Sequence, residues 1–274
     1  MKYVRSLYRR RVRHRERHFV IEGLRLVEEA LRAGVVPALA FFTPDLDSQR
    51  GGELLAVIED LCGECFVVTD TVMRALSDTV SPQGILAVVP FIELPLPESP
   101  WLILVVDKVR DPGNLGTILR SAEAAGASQV ILTSATVDVY NPKVVRGAMG
   151  AHFYLPIATG ISWSEVAGAL EDRQILLAEA KGEKIYCEVD WRKPSALIVS
   201  SEAEGASQEA ERLATERIVI PMQGKAESLN VAVAASVILF EAARQRGTQQ
   251  DGQGAGFSGH REPQRPIGRR PGRL

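Results

Sequence analysis

Residues 217–246 constrain the fold more than any other stretch, because they join a short apolar strand to a long apolar helix through a proline stop. The run 218–220 predicts a buried strand, and Pro221 ends it because proline has no N–H to donate to a sheet. Ser228 is then expected to be the N-cap of a helix over 229–246. A strand that turns into a helix in this way predicts a ligand-binding floor.

The predicted helix is apolar or small on nearly every side from Leu229 to Phe240, which favours a buried helix over a surface one. Asn230 is the exception in its first turn. A polar side chain buried there must find hydrogen-bond partners. We therefore predict that Ser228 and Asn230 serve a site.

The first 93 residues alternate short strands and helices, which predicts a small α/β domain. The proline-rich stretch 94–100 is typical of a stiff connector. We divide the chain into a domain at 1–93, a linker at 94–100, a second α/β domain at 101–246 and a disordered tail at 247–274. The expected strands of the first domain are 18–23, 38–42, 65–69 and 84–89, with helices at 24–33, 54–61 and 72–76.

The second domain begins with the apolar run 101–106, which suits a central parallel strand. A glycine-containing loop and a helix to about Ala125 follow, which is half of a nucleotide-binding unit. The loop lacks the GxGxxG pattern, and no acid ends the next strand, 129–133, so a nicotinamide-dependent oxidoreductase is disfavoured. Further strands are expected at 154–157, 174–179 and 196–200, and a helix is expected at 164–171.

Three segments of this domain carry a family resemblance. The pattern DxVxDPxNxGxxxRxAxxxG begins at Asp107, SSEAEG occupies 200–205, and IPMxGxxxSLNVxVAAS begins at Ile220. In this order they resemble the three motifs of the SpoU/TrmH family of RNA 2′-O-ribose methyltransferases, part of the SPOUT superfamily. The stretch RHFVIEGLRLVEEAL, which begins at Arg17, resembles the substrate-binding domain that precedes many catalytic domains of this family.

The resemblance implies methyl transfer from S-adenosylmethionine to a ribose 2′-hydroxyl, a deep trefoil knot in the parallel-sheet domain, and a homodimer. It implies a catalytic set of Asn114, Arg120, Glu202, Ser228 and Asn230. It implies that Ser200, Gly205, Ile220, Met222 and Leu229 bind the cofactor. Ser200 stands where the family has glycine, so its backbone conformation must be one that a side chain tolerates.

Taken without the resemblance, Asn114 reads as a helix N-cap and Arg120 as a surface cation. The family assigns proton removal from the hydroxyl to Arg120. A guanidinium group is a very weak acid, so binding phosphate and stabilising developing negative charge is the role expected of Arg120.

The charge distribution favours a polyanionic partner. The net charge is −2. Residues 1–18 carry eight Lys/Arg and one Glu, and residues 247–274 carry five Arg and two acids, which leaves −12 for the residues between. Basic ends suggest RNA contact, with solvated surface charge as the alternative. The residues expected to bind RNA are Arg9, Arg10, Arg11, Arg13, Lys143 and Arg146.

Other features bear on compartment and ligands. The chain holds three cysteines, and the Cys62/Cys65 pair has no second pair, so ordinary thiols are favoured over a metal or redox site. No apolar run reaches the roughly 20 residues of a membrane span. We expect no metal and a cytoplasmic protein, with an arginine-rich transit peptide as the alternative.

The substrate is expected to be ribosomal RNA, of the large subunit, because the N-terminal domain resembles that of rRNA-methylating members. A tRNA substrate and a catalytically inactive RNA-binding homologue are the alternatives.

Overall fold

A computed structural model describes residues 1–44, 46, 49–201 and 204–251. In this part of the chain the strands form two sheets, one on each side of segment 94–100. The first is four-stranded, in the order β1-β4-β2-β3. Its strands are β1 (His18–Glu22), β2 (Leu39–Phe42), β3 (Cys65–Val67) and β4 (Ile85–Pro90). The helices beside it are α1 (Lys2–Ser6), α2 (Arg10–Glu16), α3 (Leu24–Arg32), α4 (Gln49–Leu61) and α5 (Asp70–Leu76).

The second sheet has seven strands in the order β7-β6-β5-β10-β8-β11-β9, and every neighbouring pair is parallel. Its strands are β5 (Leu102–Asp107), β6 (Gln129–Thr133), β7 (Ile157–Ile161), β8 (Gln174–Ala178), β9 (Lys184–Ile185), β10 (Ser195–Ser200) and β11 (Glu216–Val219). Its helices are α6 (Pro112–Ala124), α7 (Pro142–Ala148), α8 (Trp163–Ala169), α9 (Gln208–Leu213) and α10 (Val231–Asp251). The predicted α/β class with a parallel sheet is confirmed.

The centre of this sheet is the pair β5 and β10. All six residues of β5 are buried, as expected of a strand covered on both faces. The register pairs Ser200 with Asp107, so both strands end at the same edge. In open α/β sheets ligands bind at the carboxyl ends of strands. The predicted motifs therefore leave the sheet side by side.

Strand β11 lies between β8 and β9, which are consecutive in the chain. Segment 179–183, which joins those two strands, therefore crosses β11. The backbone N–H of Glu179 donates to Ile218 and that of Glu183 to Arg217. Gly182 lies so close to β11 that an added Cβ would be 2.4 Å from the carbonyl carbon of Ile218. A side chain at position 182 would therefore force the crossing segment or β11 to move.

Helix α6 is packed between α7 and α10. Towards α7 the contact is glycine on glycine, since a Cβ on Gly116 would lie 2.9 Å from the Cα of Gly147. Towards α10 the hydroxyls of Ser121 and Ser236 share a hydrogen bond of 2.7 Å. Both sides of α6 are thereby fixed.

The two sheets share apolar packing across the linker. Tyr140, from the catalytic half, stacks on Phe91 with ring centroids 3.8 Å apart and lies 4.8 Å from Phe19. Its hydroxyl bonds both backbone polar groups of Ile92. Burial lowers the pKa of neighbouring His152 to about 4. The halves are therefore held against each other.

Arg13 corrects a sequence-based prediction. It was expected to bind RNA, but it is buried at 3% exposure. Its guanidinium pairs with Asp138 at 2.5 Å and donates to the carbonyl of Leu7 at 2.8 Å. Burial acts to raise the pKa of Asp138, but the hydrogen bond and charge of Arg13 outweigh it and hold that pKa below its usual value. Arg13 joins α2 to the catalytic half and is not free to meet RNA.

The last helix differs from its prediction at both ends. It starts at Val231, not at Leu229, and continues to Asp251, beyond the predicted end at 246. Ser228 was wrong as the N-cap: the side-chain oxygen of Asn230 accepts the backbone N–H of Ala232 at 3.0 Å and fills that role. Disorder was predicted for 247–274, which is wrong for 247–251 because they belong to α10, and the rest of that stretch lies outside the described residues.

The expected all-round burial of α10 was also wrong. Val233 is 47% and Phe240 51% exposed, so part of the helix surface faces solvent. Asn230 itself is exposed, not buried. The predicted strand over 154–157 was misplaced: Ala151–Phe153 is a short 3-10 turn and the strand begins at Ile157. The two-residue strand β9 was missed.

Candidate active site

A cleft of about 490 Å³ opens at the carboxyl ends of β8, β10 and β11. Its floor is apolar, with Ile218, Val231 and Ile238 among its lining, and its rim carries Glu179 and Lys181. Every residue that the sequence assigned to cofactor binding lines it: Ser200, Gly205, Ile220, Met222 and Leu229.

The turn after β10 forms one wall. Ser200 is the last residue of β10 and pairs with Asp107, so it has an extended backbone that any residue adopts. Gly205 closes the turn with φ +67° and donates its N–H to Ser201 at 2.9 Å. That conformation favours glycine. Glu202, a predicted catalytic residue, lies outside the described residues.

Asp107 anchors this turn from below and was not singled out by the sequence. Its carboxylate is fully buried and accepts the backbone N–H of Ser207 at 2.8 Å and the hydroxyl of Thr133 at 3.2 Å. Its backbone carbonyl accepts the N–H of Ser201. Asp107 thus ties the ends of β5 and β6 to the 201–207 loop. Its place at the end of an apolar strand was the available signal.

The segment before α10 forms the opposite wall. Ser228 and Leu229 line the cleft, and Asn230 follows at the helix start. The Nδ2 group of Asn230 donates to the Oδ1 atom of Asn114 at 3.0 Å. The first and third sequence motifs therefore meet at the edge of the cofactor cleft.

Asn114 is not the N-cap of α6. That cap is Asp111, whose carboxylate accepts the backbone N–H of Asn114 at 2.8 Å. The Asn114 side chain is thus available to reach Asn230. Arg120 lies further along α6 and is absent from the cleft lining. It lines a separate groove of about 260 Å³ between α3 and the turn after α7.

The cleft fits S-adenosylmethionine. Its apolar floor suits the adenosine part, and its rim offers both a carboxylate and an ammonium group to a zwitterionic tail. Ser200, Gly205 and Leu229 line the cleft and would hold the adenosine part. When bound, this cofactor supplies an electrophilic methyl group.

Of the predicted RNA-binding residues other than Arg13, four are exposed: Arg9, Arg10, Arg11 and Lys143. Arg146 is half-buried and pairs with Asp78 at 3.4 Å. Within the described part of the chain no group of three or more His, Cys, Asp or Glu is placed to hold a metal. No described helix is both long and apolar enough to cross a bilayer.

The sequence pattern of the SpoU rRNA Methylase family matches residues 101–240, and that of an MRM3-like substrate binding domain matches residues 1–87. The chain belongs to the SpoU rRNA methylase family. Among its relatives, the 23S rRNA (guanosine(2553)-2′-O)-methyltransferase RlmP of Bacillus subtilis is 32% identical over 86% of this chain and 92% of its own length. Human rRNA methyltransferase 3, mitochondrial, is 32% identical over 87% of this chain and 70% of its own.

Solved SpoU structures agree. The SpoU methyltransferase AviRb of Streptomyces viridochromogenes, in complex with AdoMet, is 28% identical and superposes with a TM-score of 0.82 over 90% of this chain and 97% of its own. A crystal structure of an RNA 2′-O ribose methyltransferase is 35% identical, with a TM-score of 0.78 over 89% and 95% of the two chains. The predicted SpoU enzyme class and its S-adenosylmethionine cofactor are confirmed.

Proposed function

We propose that this SpoU enzyme methylates the 2′-hydroxyl of one ribose in large-subunit ribosomal RNA. The observation that carries the proposal is the convergence of the predicted motifs: the cofactor cleft is walled by the second and third motifs, and Asn230 bonds Asn114 of the first. The relative RlmP, whose name gives a 23S rRNA target, covers both halves of the chain and supports the substrate class.

In this mechanism the protein chiefly aligns donor and acceptor, because the cofactor provides the driving force for methyl transfer. The turn at Ser200 and Gly205 and the segment at Leu229 hold the cofactor. Asn114, fixed by Asn230, directs its remaining side-chain donor at the ribose hydroxyls. Ser228 contributes a further hydrogen bond on the same edge, and the catalytic role of Glu202 stays a prediction from its motif.

Arg120 binds the phosphate next to the target ribose and stabilises the negative charge that develops on the 2′-oxygen as the hydroxyl gives its proton to solvent water. Its position outside the cofactor cleft agrees with a role on the RNA. Because a guanidinium group donates hydrogen bonds and has no acceptor, we assign Arg120 charge stabilisation and not proton removal.

RNA binding beyond the site rests on exposed cations. Arg9, Arg10 and Arg11 follow each other at the start of α2, and Lys143 lies on the exposed side of α7. Such contacts to phosphates give affinity without sequence information.

Two alternatives remain distinct from this proposal. We favour ribosomal RNA over tRNA because the relatives RlmP and human rRNA methyltransferase 3, which match both halves of the chain, carry rRNA names. The inactive alternative rests on Ser200, which stands where the family has glycine. The backbone of Ser200 is extended, a conformation that any residue adopts, so the serine does not disturb this wall of the cleft.

The proposal is tested with purified protein, labelled S-adenosylmethionine, and ribosomal RNA and tRNA from a strain that lacks the modification. We expect one 2′-O-methyl mark in the large-subunit RNA. Labelling of tRNA alone would replace the substrate assignment. Calorimetry that detects no cofactor binding even at millimolar concentration would favour the inactive alternative.

We further propose a homodimer that uses the exposed side of α10. Val233 and Phe240 are seven residues apart, so they lie on one helical face, and both are about half exposed. A second copy of this chain would cover them. Val233→Glu is expected to yield monomers in sedimentation experiments, and an unchanged dimer would exclude this face.

The crossing of 179–183 over β11 supports a further proposal, that the chain after β11 passes through a loop and forms a trefoil knot. Such knots are rare, and a crystal structure traced through 174–251 tests the proposal.

We also propose domain boundaries at 93 and 101. A cytoplasmic location is proposed as well, and the three free cysteines support it. Fractionation of cells that express a tagged chain tests the location.

A further inference from the structure

The groove that contains Arg120 has a second arginine, from the N-terminal domain. Its lining comes from α3, from α6 and from the turn after α7. Arg25 of α3 and Arg120 of α6 both face this space of about 260 Å³, together with Glu29 and Glu123. Each arginine therefore comes from a different half of the molecule.

Both arginines are exposed and free to take a ligand. Within the described part of the chain, neither guanidinium group makes a hydrogen bond or an ion pair. Arg32 and Arg110, which are also exposed, are instead engaged by carboxylates: Arg32 pairs with Glu29 and Arg110 with Glu204. Two guanidinium groups without protein partners on one groove form a site for anionic oxygens.

The position of Arg25 is fixed by the packing of its helix. Four residues further along, on the same face of α3, Glu29 accepts a hydrogen bond from the Tyr154 hydroxyl at 2.9 Å. The turn after α7 also packs closely against α3. A Cβ added to Gly150, whose φ is +99°, would lie 3.3 Å from the Cβ of Glu29. These contacts fix helix α3, and with it the backbone of Arg25, beside the groove that Arg120 lines.

The groove carries both positive and negative side chains, which limits the kinds of ligand that it can bind. Its lining includes the carboxylates of Glu29, which Tyr154 and Arg32 already engage, and of Glu123, beside the guanidinium groups of Arg25 and Arg120, which bind anionic oxygens. A ribose–phosphate unit offers both hydroxyl donors and phosphate oxygens. A free multivalent anion offers only the second.

We infer that Arg25 is an RNA-positioning residue, which binds a backbone phosphate adjacent to the one held by Arg120 and so sets the target ribose over the cofactor cleft. The inference rests on the proposed function, since its ligand is the substrate RNA. The N-terminal domain then does more than add affinity for RNA, because it supplies an RNA contact in the same groove as Arg120.

The test compares Arg25→Gln, Arg25→Lys and the control Arg74→Gln in the full chain, using a large-subunit RNA fragment that the wild type binds. Arg74 is exposed, lies in the same domain and is absent from the groove lining. We expect Arg25→Gln to raise the KM for RNA about tenfold with less change in kcat. It should reduce the slope of log binding constant against log salt by about 0.7, the share of one phosphate.

Arg25→Lys is expected to keep the salt slope, because the charge remains, while losing part of the affinity. Cofactor affinity and melting temperature should match those of Arg74→Gln. If Arg25→Gln binds RNA with the affinity and slope of Arg74→Gln, the inference fails, and an active wild type would leave the proposed function standing. If the wild type binds RNA but transfers no methyl group, the function fails, and the binding slopes still decide the role of Arg25.

Discussion

The side-chain amide of Asn230 donates a hydrogen bond of 3.0 Å to the side-chain oxygen of Asn114. The oxygen of the same Asn230 caps α10. One residue therefore starts the last helix and fixes the first motif beside the cofactor cleft. This arrangement leaves the amide nitrogen of Asn114 as a donor for substrate.

Asn114→Asp tests this arrangement. The aspartate still accepts from Asn230, but an anionic oxygen replaces the amide donor. We expect turnover to fall by roughly 10²–10³-fold, as for the loss of one transition-state donor, with cofactor affinity and melting temperature near wild type. Steady-state kinetics and calorimetry measure these quantities, and wild-type turnover would show that the donor is not used.

Asn230→Ala is the companion change, with a different expected signature. It removes both the cap and the Asn114 partner. We expect a loss of about 1 kcal/mol in the free energy of unfolding, together with reduced turnover. Ser228→Ala, at the position once expected to be the cap, should leave stability unchanged. Equal destabilisation by both variants would return the cap to Ser228.

Arg120→Ala is expected to abolish turnover and keep cofactor affinity. The reason is its position: Arg120 lines the groove beside α3 and not the cleft that holds the cofactor. Single-turnover methylation and cofactor titration on the same preparation measure both. A loss of cofactor binding would show that the residue maintains the structure.

Arg13→Met separates a buried arginine from its exposed neighbours. The change leaves Asp138 buried without its closest partner, so we expect unfolding to become easier by about 3–5 kcal/mol. Arg10→Gln should leave stability unchanged and weaken RNA binding. Chemical denaturation checks the first effect and salt-dependent RNA binding the second. If Arg13→Met were as stable as Arg10→Gln, the ion pair would contribute nothing.

The sequence predicted the elements whose signals are local. The apolar runs that became β5 and β10 need only their own composition, and the three motifs follow the strands that position them. What it missed depends on distant partners. Arg13 and Arg10 look alike in sequence, and only Asp138, 125 residues away, distinguishes them. Ser228 and Asn230 both carry capping side chains, and the tie to Asn114 is visible only in the fold.

His152 gives the chain an acid-sensitive core. It is buried, and its Nε2 group lies 2.9 Å from the carbonyl oxygen of Val139. Burial lowers its pKa to about 4, from an ordinary 6.5. Between these values the unfolded chain binds more protons, so stability falls as the pH drops from about 6.5 towards 4. The contribution lost between pH 7 and pH 5 is about 2 kcal/mol.

His152→Gln keeps an N–H donor and does not titrate. We expect its stability to change less than that of the wild type over this pH interval, by about that amount. Chemical denaturation at several pH values measures the difference. The pKa of Asp138 is also shifted down, so its contribution to the stability of the protein is lost at lower pH. That loss occurs in both proteins and cancels when their pH profiles are compared. Identical pH profiles would show that His152 is accessible to protons in the folded state.

Gly182→Ala tests the crossing of segment 179–183 over β11. The new Cβ would fall 2.4 Å from the carbonyl carbon of Ile218, so either the crossing segment or the strand must move. We expect a loss of about 1–3 kcal/mol in stability. Because Ile218 and Lys181 line the cofactor cleft, weaker S-adenosylmethionine binding should accompany it. Gly168→Ala is the matched control, since Gly168 lies in α8 with no atom near its added Cβ and should gain up to about 1 kcal/mol. Normal cofactor affinity in a destabilised Gly182→Ala would separate the crossing from the cleft, whereas equal stability of the two variants would mean that the crossing is looser than the contact distances require.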